Sequence, residues 1–178
     1  MKTKLFLLLV SIFSLNLFGQ TVAIPDTNFE QALIDLGFDS NGLNGNILSS
    51  DALLVDSLKI SDKEISSLSG VEKMSNLIYL RAKNNSLTVI DVTKNVNLKY
   101  LNLDGSNLSE LDVTKNVNLE LISLFGGSSG LTGVDLSMNT NLKSVYLTTL
   151  LNLETVTFGN SPSLTFIQLG YNKIRTLD

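Results

Sequence analysis

The sequence contains no cysteine, no histidine and no tryptophan. Without cysteine the fold has no disulfides, and a lipid-modified cysteine near the N-terminus is excluded as well. The absence of histidine removes the most common general base and the most common metal-binding nitrogen. No convergent set of carboxylates, no serine with a base and no phosphate-binding glycine loop replaces them. We therefore predict a protein with no catalytic activity, no metal and no cofactor.

Basic residues are also few, since 13 lysines and arginines face 17 aspartates and glutamates, for a net charge of −4 and a pI near 4.8. Phosphate backbones bind proteins through clustered basic side chains, which an acidic chain of this kind lacks. We therefore expect no nucleic-acid partner.

The first residues have the layout of a secretion signal. Lys2 and Lys4 precede an apolar stretch at residues 5–18, and the small residue Gly19 follows it. The stretch contains polar residues and is shorter than the roughly 20 apolar residues that a membrane span needs. We predict a signal peptide at residues 1–20, export to the cell surface or the medium, and no membrane span after signal removal.

Most of the remaining chain consists of an internal repeat of 21 residues. Residues 77–97 read LIYLRAKNNSLTVIDVTKNVN, and residues 98–118 read LKYLNLDGSNLSELDVTKNVN. The third copy is longer by two residues around a glycine-rich segment at residues 126–130, where we predict a bulged loop. Further copies begin at Leu119, Leu142 and Leu164, and a more divergent one begins at Val55.

Each copy consists of two halves of the form LxxLxLxxN. In an extended segment, alternation turns Leu101 and Leu103 inward and Tyr100 and Asn102 outward. The residue that closes each half has a short polar side chain, which can hydrogen-bond backbone groups that a turning chain leaves unpaired. These residues are Asn85, Asn95, Asn116, Asn139 and Asn172, with Ser106 and Ser161 expected to make a weaker version of the same bond.

The motif LxxLxLxxNxL, matched by residues 77–87 except at Ala82 and by residues 164–174, resembles that of the leucine-rich-repeat family. The 21-residue form with DVTKN strings is similar to secreted repeat proteins of the Bacteroidota and, more distantly, to bacterial internalins. This resemblance implies a leucine-rich-repeat solenoid of the α/β horseshoe class, rich in β structure, with a parallel strand ladder on its concave face. Stacking is also required physically, because one coil cannot bury its leucines alone. We assign residues 55–178 to the repeats.

A solenoid needs a terminal unit that covers its apolar end, and residues 21–54 fit an N-terminal helical cap with a connecting loop. Asp26 or Thr27 is the expected N-cap of this helix, and Gly37 its stop. No such unit follows the last repeat, which is incomplete at Asp178, so we expect the chain to be part of a longer protein. The apolar residues at helical spacing are Phe29, Ala32, Leu33 and Leu36.

The outward strand positions are the candidate binding surface. Stacked strands place equivalent residues about 4.8 Å apart in columns, and aromatic residues among polar ones are typical interface anchors. Stacked tyrosines also stabilise a sheet by themselves, which is an alternative role for them. The candidate partner-binding residues are Tyr79, Arg81, Tyr100, Asn102, Leu121, Tyr146, Phe166 and Gln168.

Two acidic features raise the question of calcium. A row of aspartates recurs once per coil, with Thr157 breaking the series, but such exposed charges are screened by solvent and by nearby lysines. The loop at residues 39–51 resembles a calcium-binding loop, yet its glycine stands one place late, Leu43 fills a ligand position and the closing glutamate is absent. We therefore predict no metal at either place. The aspartate row comprises Asp91, Asp112, Asp135 and Asp178.

These features favour a secreted or cell-surface interaction module that recognises a protein or a glycan on its strand face. One alternative is that the repeats are a targeting or spacer domain of a larger exported enzyme. Another is a structural spacer stabilised by calcium. A single sequence does not identify the ligand, because repeat folds serve many partners.

Overall fold

The computed structural model of the chain describes residues 20–127 and 130–177. Residues 1–19 of the predicted signal peptide, Asp178 and part of the predicted bulge lie outside these ranges. The elements follow in the order β1 (Thr21–Ala23), α1 (Thr27–Asp35), β2 (Asn46–Leu48), α2 (Ser49–Ala52), β3 (Ser57–Lys59), a 3-10 helix (Val71–Lys73), β4 (Tyr79–Arg81), β5 (Tyr100–Asn102), β6 (Leu121–Phe125), β7 (Gly133–Leu136), β8 (Ser144–Thr148), β9 (Thr155–Phe158), β10 (Phe166–Gln168) and β11 (Thr176–Leu177).

The main sheet is a six-stranded parallel ladder in the order β3, β4, β5, β6, β8 and β10. Each successive coil adds one strand, and the coils keep the same register although the third repeat is longer. The predicted parallel-strand solenoid is confirmed. One column of register partners runs Tyr79, Tyr100, Leu121, Ser144 and Phe166.

A second, three-stranded parallel sheet joins β7, β9 and β11. The sequence predicts a parallel ladder on the concave face and does not predict this second sheet. The second half of each repeat nevertheless carries the same alternating pattern, with Val134 and Leu136 buried and Asp135 exposed in β7. The corresponding segments around Asp91 and Asp112 in the preceding coils carry no assigned strand. A cavity of about 580 Å³ is lined by both segments and by Gly133. The second sheet therefore develops only from the third copy onward.

The core is continuous from coil to coil, because the inward strand position is apolar in each one. Leu80, Leu101, Ile122 and Val145 occupy this position in β4, β5, β6 and β8, and all four are fully buried. Burial of such a side chain contributes roughly 1.5–3 kcal/mol. The apolar side chains of each coil thus pack against those of the next coil.

Asparagines connect the coils inside this core. The Asn116 amide nitrogen donates to the carbonyls of Val92 at 2.9 Å and Asn95 at 2.8 Å, both belonging to the preceding coil. Asn95 and Asn139 repeat the arrangement one coil earlier and one coil later. The prediction that these asparagines hydrogen-bond backbone groups is confirmed. Their bonds also join adjacent coils.

The two serines differ. The Ser161 hydroxyl donates to the carbonyl of Asn139 at 3.2 Å, as predicted. The prediction for Ser106 is wrong, since its buried hydroxyl has no hydrogen-bond partner among the described residues. A serine side chain is shorter than that of asparagine and does not reach the preceding coil here. Gly127 of the next coil packs on the Ser106 carbonyl instead, at a φ of +93°, where a Cβ would collide.

Helix α1 covers the first coil, with Phe29 and Leu33 fully buried. Its N-cap is Asp26, whose Oδ1 accepts from the backbone N–H groups of Asn28 and Phe29. The other oxygen, Oδ2, accepts from the N–H and hydroxyl of Ser66 in the first coil. Burial raises the pKa of Asp26, but these hydrogen bonds outweigh it and hold the pKa below its usual value. One carboxylate thus caps the helix and fastens it to the repeats.

The C-terminal end of α1 differs from the prediction at one residue. Gly37 adopts a φ of +76° and follows the C-cap, in agreement with its expected role as the stop. Leu36, which we had grouped with the apolar face, is that C-cap and is 41% exposed.

Replacement of Asn116 by alanine should destabilise the solenoid by about 2 kcal/mol or more, because two buried carbonyls lose their donor. Asn118→Ala is the matched control, since exposed Asn118 makes a single bond to Val96, and its cost should stay within about 0.5 kcal/mol. Urea unfolding followed by circular dichroism measures both. Equal destabilisation by the two variants would show that the buried asparagines do not join the coils.

Candidate functional site

The outward surface of the six-stranded sheet, here called the ladder face, carries all eight candidate residues. Strand register places them in two adjacent columns. The first column contains Tyr79, Tyr100, Leu121 and Phe166, and the second contains Arg81, Asn102, Tyr146 and Gln168. Their predicted positions are therefore confirmed, while their role in binding remains a prediction.

Two aromatic pairs stand on the ladder face. The rings of Tyr79 and Tyr100 stack with centroids 4.2 Å apart and planes within 10° of parallel. Tyr146 and Phe166 form a tilted pair with centroids 4.9 Å apart. Burial raises the pKa of Tyr100, and the neighbouring Tyr79 hydroxyl adds to this shift. Because each pair bridges adjacent coils, both roles considered for these residues, sheet stabilisation and contact with a partner, fit the geometry.

A polar network fills the space between the aromatic pairs. Asn102 and Ser123 point outward but are buried, at 8% and 7% exposure. The Asn102 amide donates to Oδ2 of Asp104 at 2.9 Å, and the Ser123 hydroxyl donates to Oδ1 at 2.7 Å. Asp104 was not among our candidates because it follows β5 and lies outside the strand columns. The sequence signal was a lone carboxylate at the strand end, where the neighbouring coils have Lys83 and Phe125.

This network forms the floor of a cavity of about 360 Å³ on the ladder face. Its walls combine aromatic rings with uncharged polar side chains, and the single charged group among the lining residues is that of Asp104. The cavity is lined by Tyr100, Asn102, Asp104, Leu121, Ser123, Phe125, Tyr146, Thr148 and Gln168.

The edge of the ladder face is charged. Glu120 lies between two lysines, with its carboxylate 2.6 Å from Nζ of Lys143 and 3.5 Å from Nζ of Lys99. The hydrogen bond from Lys143 holds the pKa of Glu120 below its usual value, and both lysine charges lower it further. Exposed pairs of this kind contribute little stability. They form a polar rim beside the aromatic residues.

The aspartate row serves the turns of the coil. The Asp91 carboxylate accepts from the backbone N–H of Thr93 at 2.9 Å and from its hydroxyl at 2.7 Å, and Asp112 binds Thr114 in the same way. These hydrogen bonds hold the pKa of both aspartates below the usual value. Asp135 accepts from the N–H of Ser137. Turn capping therefore accounts for these three carboxylates.

The loop at residues 39–51 is arranged around a buried carboxylate. Glu30 of α1 is 2% exposed, and its Oε1 accepts from the N–H groups of Asn44, Gly45 and Asn46 at 2.6–2.9 Å. Calcium requires a shell of inward oxygen ligands, whereas these three groups are donors. Across the described residues, no group of three or more acidic side chains is placed to hold a metal. The carboxylate of Glu30 is therefore occupied by the backbone of the loop.

Asp39 in the same loop is 6% exposed. Burial raises its pKa, and the negative charges of Glu30 and Asp51 add to this effect. Asp51 is itself engaged, since one of its oxygens accepts from the N–H and the hydroxyl of Ser40. The raised pKa makes Asp39 easier to protonate than an ordinary aspartate.

Addition of millimolar calcium should therefore leave the melting temperature unchanged, because a ligand that binds the folded state would raise it by mass action. Differential scanning fluorimetry with calcium, with magnesium and with a chelator measures this. A rise specific to calcium that Asp39→Asn abolishes would restore the calcium-stabilised spacer as an explanation.

No family model and no curated protein matches the sequence. Among solved structures, the chain is similar to the functional domain of InlJ from Listeria monocytogenes, described as including a cysteine ladder. The two share 27% identity at a TM-score of 0.66, over 90% of this chain and 40% of that one. The present chain has no cysteine, so that ladder has no cysteine counterpart here.

Two further Listeria monocytogenes internalins share the fold. Internalin InlF has 17% identity and a TM-score of 0.67, over 86% of this chain and 46% of that one. Internalin C2 has 23% identity and a TM-score of 0.59, over 88% of this chain and 81% of that one. The chain thus spans less than half of InlJ and InlF. These similarities show a solenoid of the leucine-rich-repeat type.

Proposed function

We propose that this chain is an exported, non-catalytic module that binds a protein partner on its ladder face. The observation that carries the proposal is the pairing of two aromatic clusters around a cavity on a rigid parallel ladder. Aromatic residues on such a scaffold lose little conformational freedom on binding and often supply most of the binding energy. The similarity to internalin repeats favours a protein-interaction module.

The geometry of the rings favours a protein over a glycan. A sugar ring stacks on the open face of an aromatic side chain, but the facing sides of Tyr79 and Tyr100 cover each other at 4.2 Å. Nζ of Lys59 lies 5.8 Å from the centroid of the Tyr79 ring. The pair therefore offers mainly ring edges and hydroxyls. Together with charges of both signs at the rim, such a surface suits a protein with mixed polarity.

Export is supported by the signal-like pattern of residues 1–20. Over residues 20–127 and 130–177, none of the helices is long and apolar enough to cross a membrane. We place the partner at the cell surface or in the medium. A solenoid that presents one face of side chains on a fixed backbone can bind there without disulfide support.

The triple variant Tyr79→Ala, Tyr100→Ala and Phe166→Ala should weaken binding of the partner by at least about tenfold, since aromatic anchors commonly contribute more than about 1 kcal/mol each. The partner is obtained by cross-linking the exported chain to surface and secreted proteins, and is then purified. Isothermal titration calorimetry with the wild type and the variant gives the dissociation constants.

Tyr171→Ala is the matched control, because Tyr171 is 86% exposed and lies outside every strand of the ladder. It should leave the affinity unchanged. If the triple variant binds as tightly as the wild type, the ladder face is not the binding site. If the wild type captures only oligosaccharides on a glycan array and the triple variant loses them, the partner is a glycan.

A further inference from the structure

We propose that the cavity on the ladder face is a subsite for a basic side chain, arginine or lysine, of the protein partner. This inference rests on the proposed function and adds the chemistry that the partner must present. It is carried by the charge of Asp104, the hydrogen bonds that fix it and the aromatic walls around it.

Asp104 carries a negative charge in the cavity, and the nearest cation by strand register is Lys83, at the equivalent position of the preceding coil. Its two hydrogen-bond donors from side chains, Asn102 and Ser123, are both neutral. Over the part of the chain that the structure describes, no lysine or arginine forms an ion pair with Asp104. A half-buried carboxylate without a cation attracts one, because Coulomb attraction strengthens as water is excluded.

The carboxylate also has free acceptor capacity in a fixed position. Each oxygen accepts one side-chain hydrogen bond, at 2.9 and 2.7 Å, whereas an ionised carboxylate offers about four acceptor sites. The Asn102 side chain is held in turn, since its Oδ1 accepts from the backbone N–H of Asp104 at 3.1 Å. A partner cation therefore meets a carboxylate that is already oriented, which lowers the entropic cost of binding.

The walls of the cavity suit a cation with an apolar stem. Tyr100, Tyr146 and Phe125 place rings beside the carboxylate, and Phe125 is 55% exposed. The face of an aromatic ring attracts a cation. The apolar stem of a lysine or arginine side chain can pack against the same rings. Arginine should bind more tightly than lysine, because its planar guanidinium can fork onto a carboxylate and lie against a ring at once.

The test uses single amino acids as probes, so that it does not depend on a partner. N-acetyl-arginine amide is titrated into the chain and followed by proton–nitrogen correlation spectra, with the citrulline amide as the uncharged isostere and the lysine amide as the second cation. The arginine probe should shift resonances of cavity residues with a dissociation constant in the millimolar range, on the order of that for a single weak contact. The citrulline probe should bind at least about fivefold more weakly.

Asp104→Asn keeps the shape of the site and removes its charge, and should weaken the arginine probe by at least about fivefold. Asp135→Asn is the control, since Asp135 lies in the second sheet, away from the ladder face. Equal binding of citrulline and arginine to the wild type overturns the inference, even if Asp104→Asn fails to fold. The absence of any shift with both cations up to about 50 mM overturns it as well.

The two proposals fail separately. If the partner binds through the aromatic residues and Asp104→Asn leaves its affinity unchanged, the subsite is wrong and the proposed function stands. If the arginine probe binds through Asp104 but the triple aromatic variant does not weaken a purified partner, the cavity still recognises a basic side chain, whereas the proposed function is wrong.

Discussion

The structure depends on the pairing of backbone carbonyls in one coil with asparagine amides in the next. A carbonyl inside an apolar core must find a donor, because an unpaired polar group there is costly. Asn95, Asn116 and Asn139 supply two hydrogen bonds each to the coil before them and are fully buried. Apolar packing alone would allow coils to slide, whereas these bonds fix the stacking position.

Carboxylates pair with the opposite kind of backbone group, the N–H donors, at the turns and at the N-terminal cap. Asp91 and Asp112 accept from N–H groups of the turns, Asp26 accepts at the start of α1, and Glu30 gathers three N–H groups of the following loop. The side-chain amides thus serve unpaired acceptors, and the acids serve unpaired donors. The described aspartates of the row are thus engaged at turns.

Much of the fold followed from the sequence because it depends on a repeated local pattern. Alternation set the inward and outward residues, and the repeat length placed Tyr79 beside Tyr100. The pattern did not reveal the contact of Asp104 with Ser123 or that of Glu30 with Asn44, which join residues 19 and 14 positions apart that only the folded chain brings near. The predicted hydrogen bond of Ser106 is absent for a related reason, because whether a side chain reaches the next coil depends on the distance between the two coils. Periodicity predicts the scaffold, and individual contacts across it require coordinates.

The separation between core and surface is what allows this scaffold to carry a binding site. The inward positions and the buried asparagines hold the coils together, so the outward positions of the ladder contribute little to stacking. At these outward positions the chain carries two aromatic pairs, a charged rim and one carboxylate, which is fixed by Asn102 and Ser123. Among the described residues, this carboxylate forms no ion pair. A cation from a partner would pair with this charge, and for that reason we regard the site around Asp104 as the place where specificity is decided.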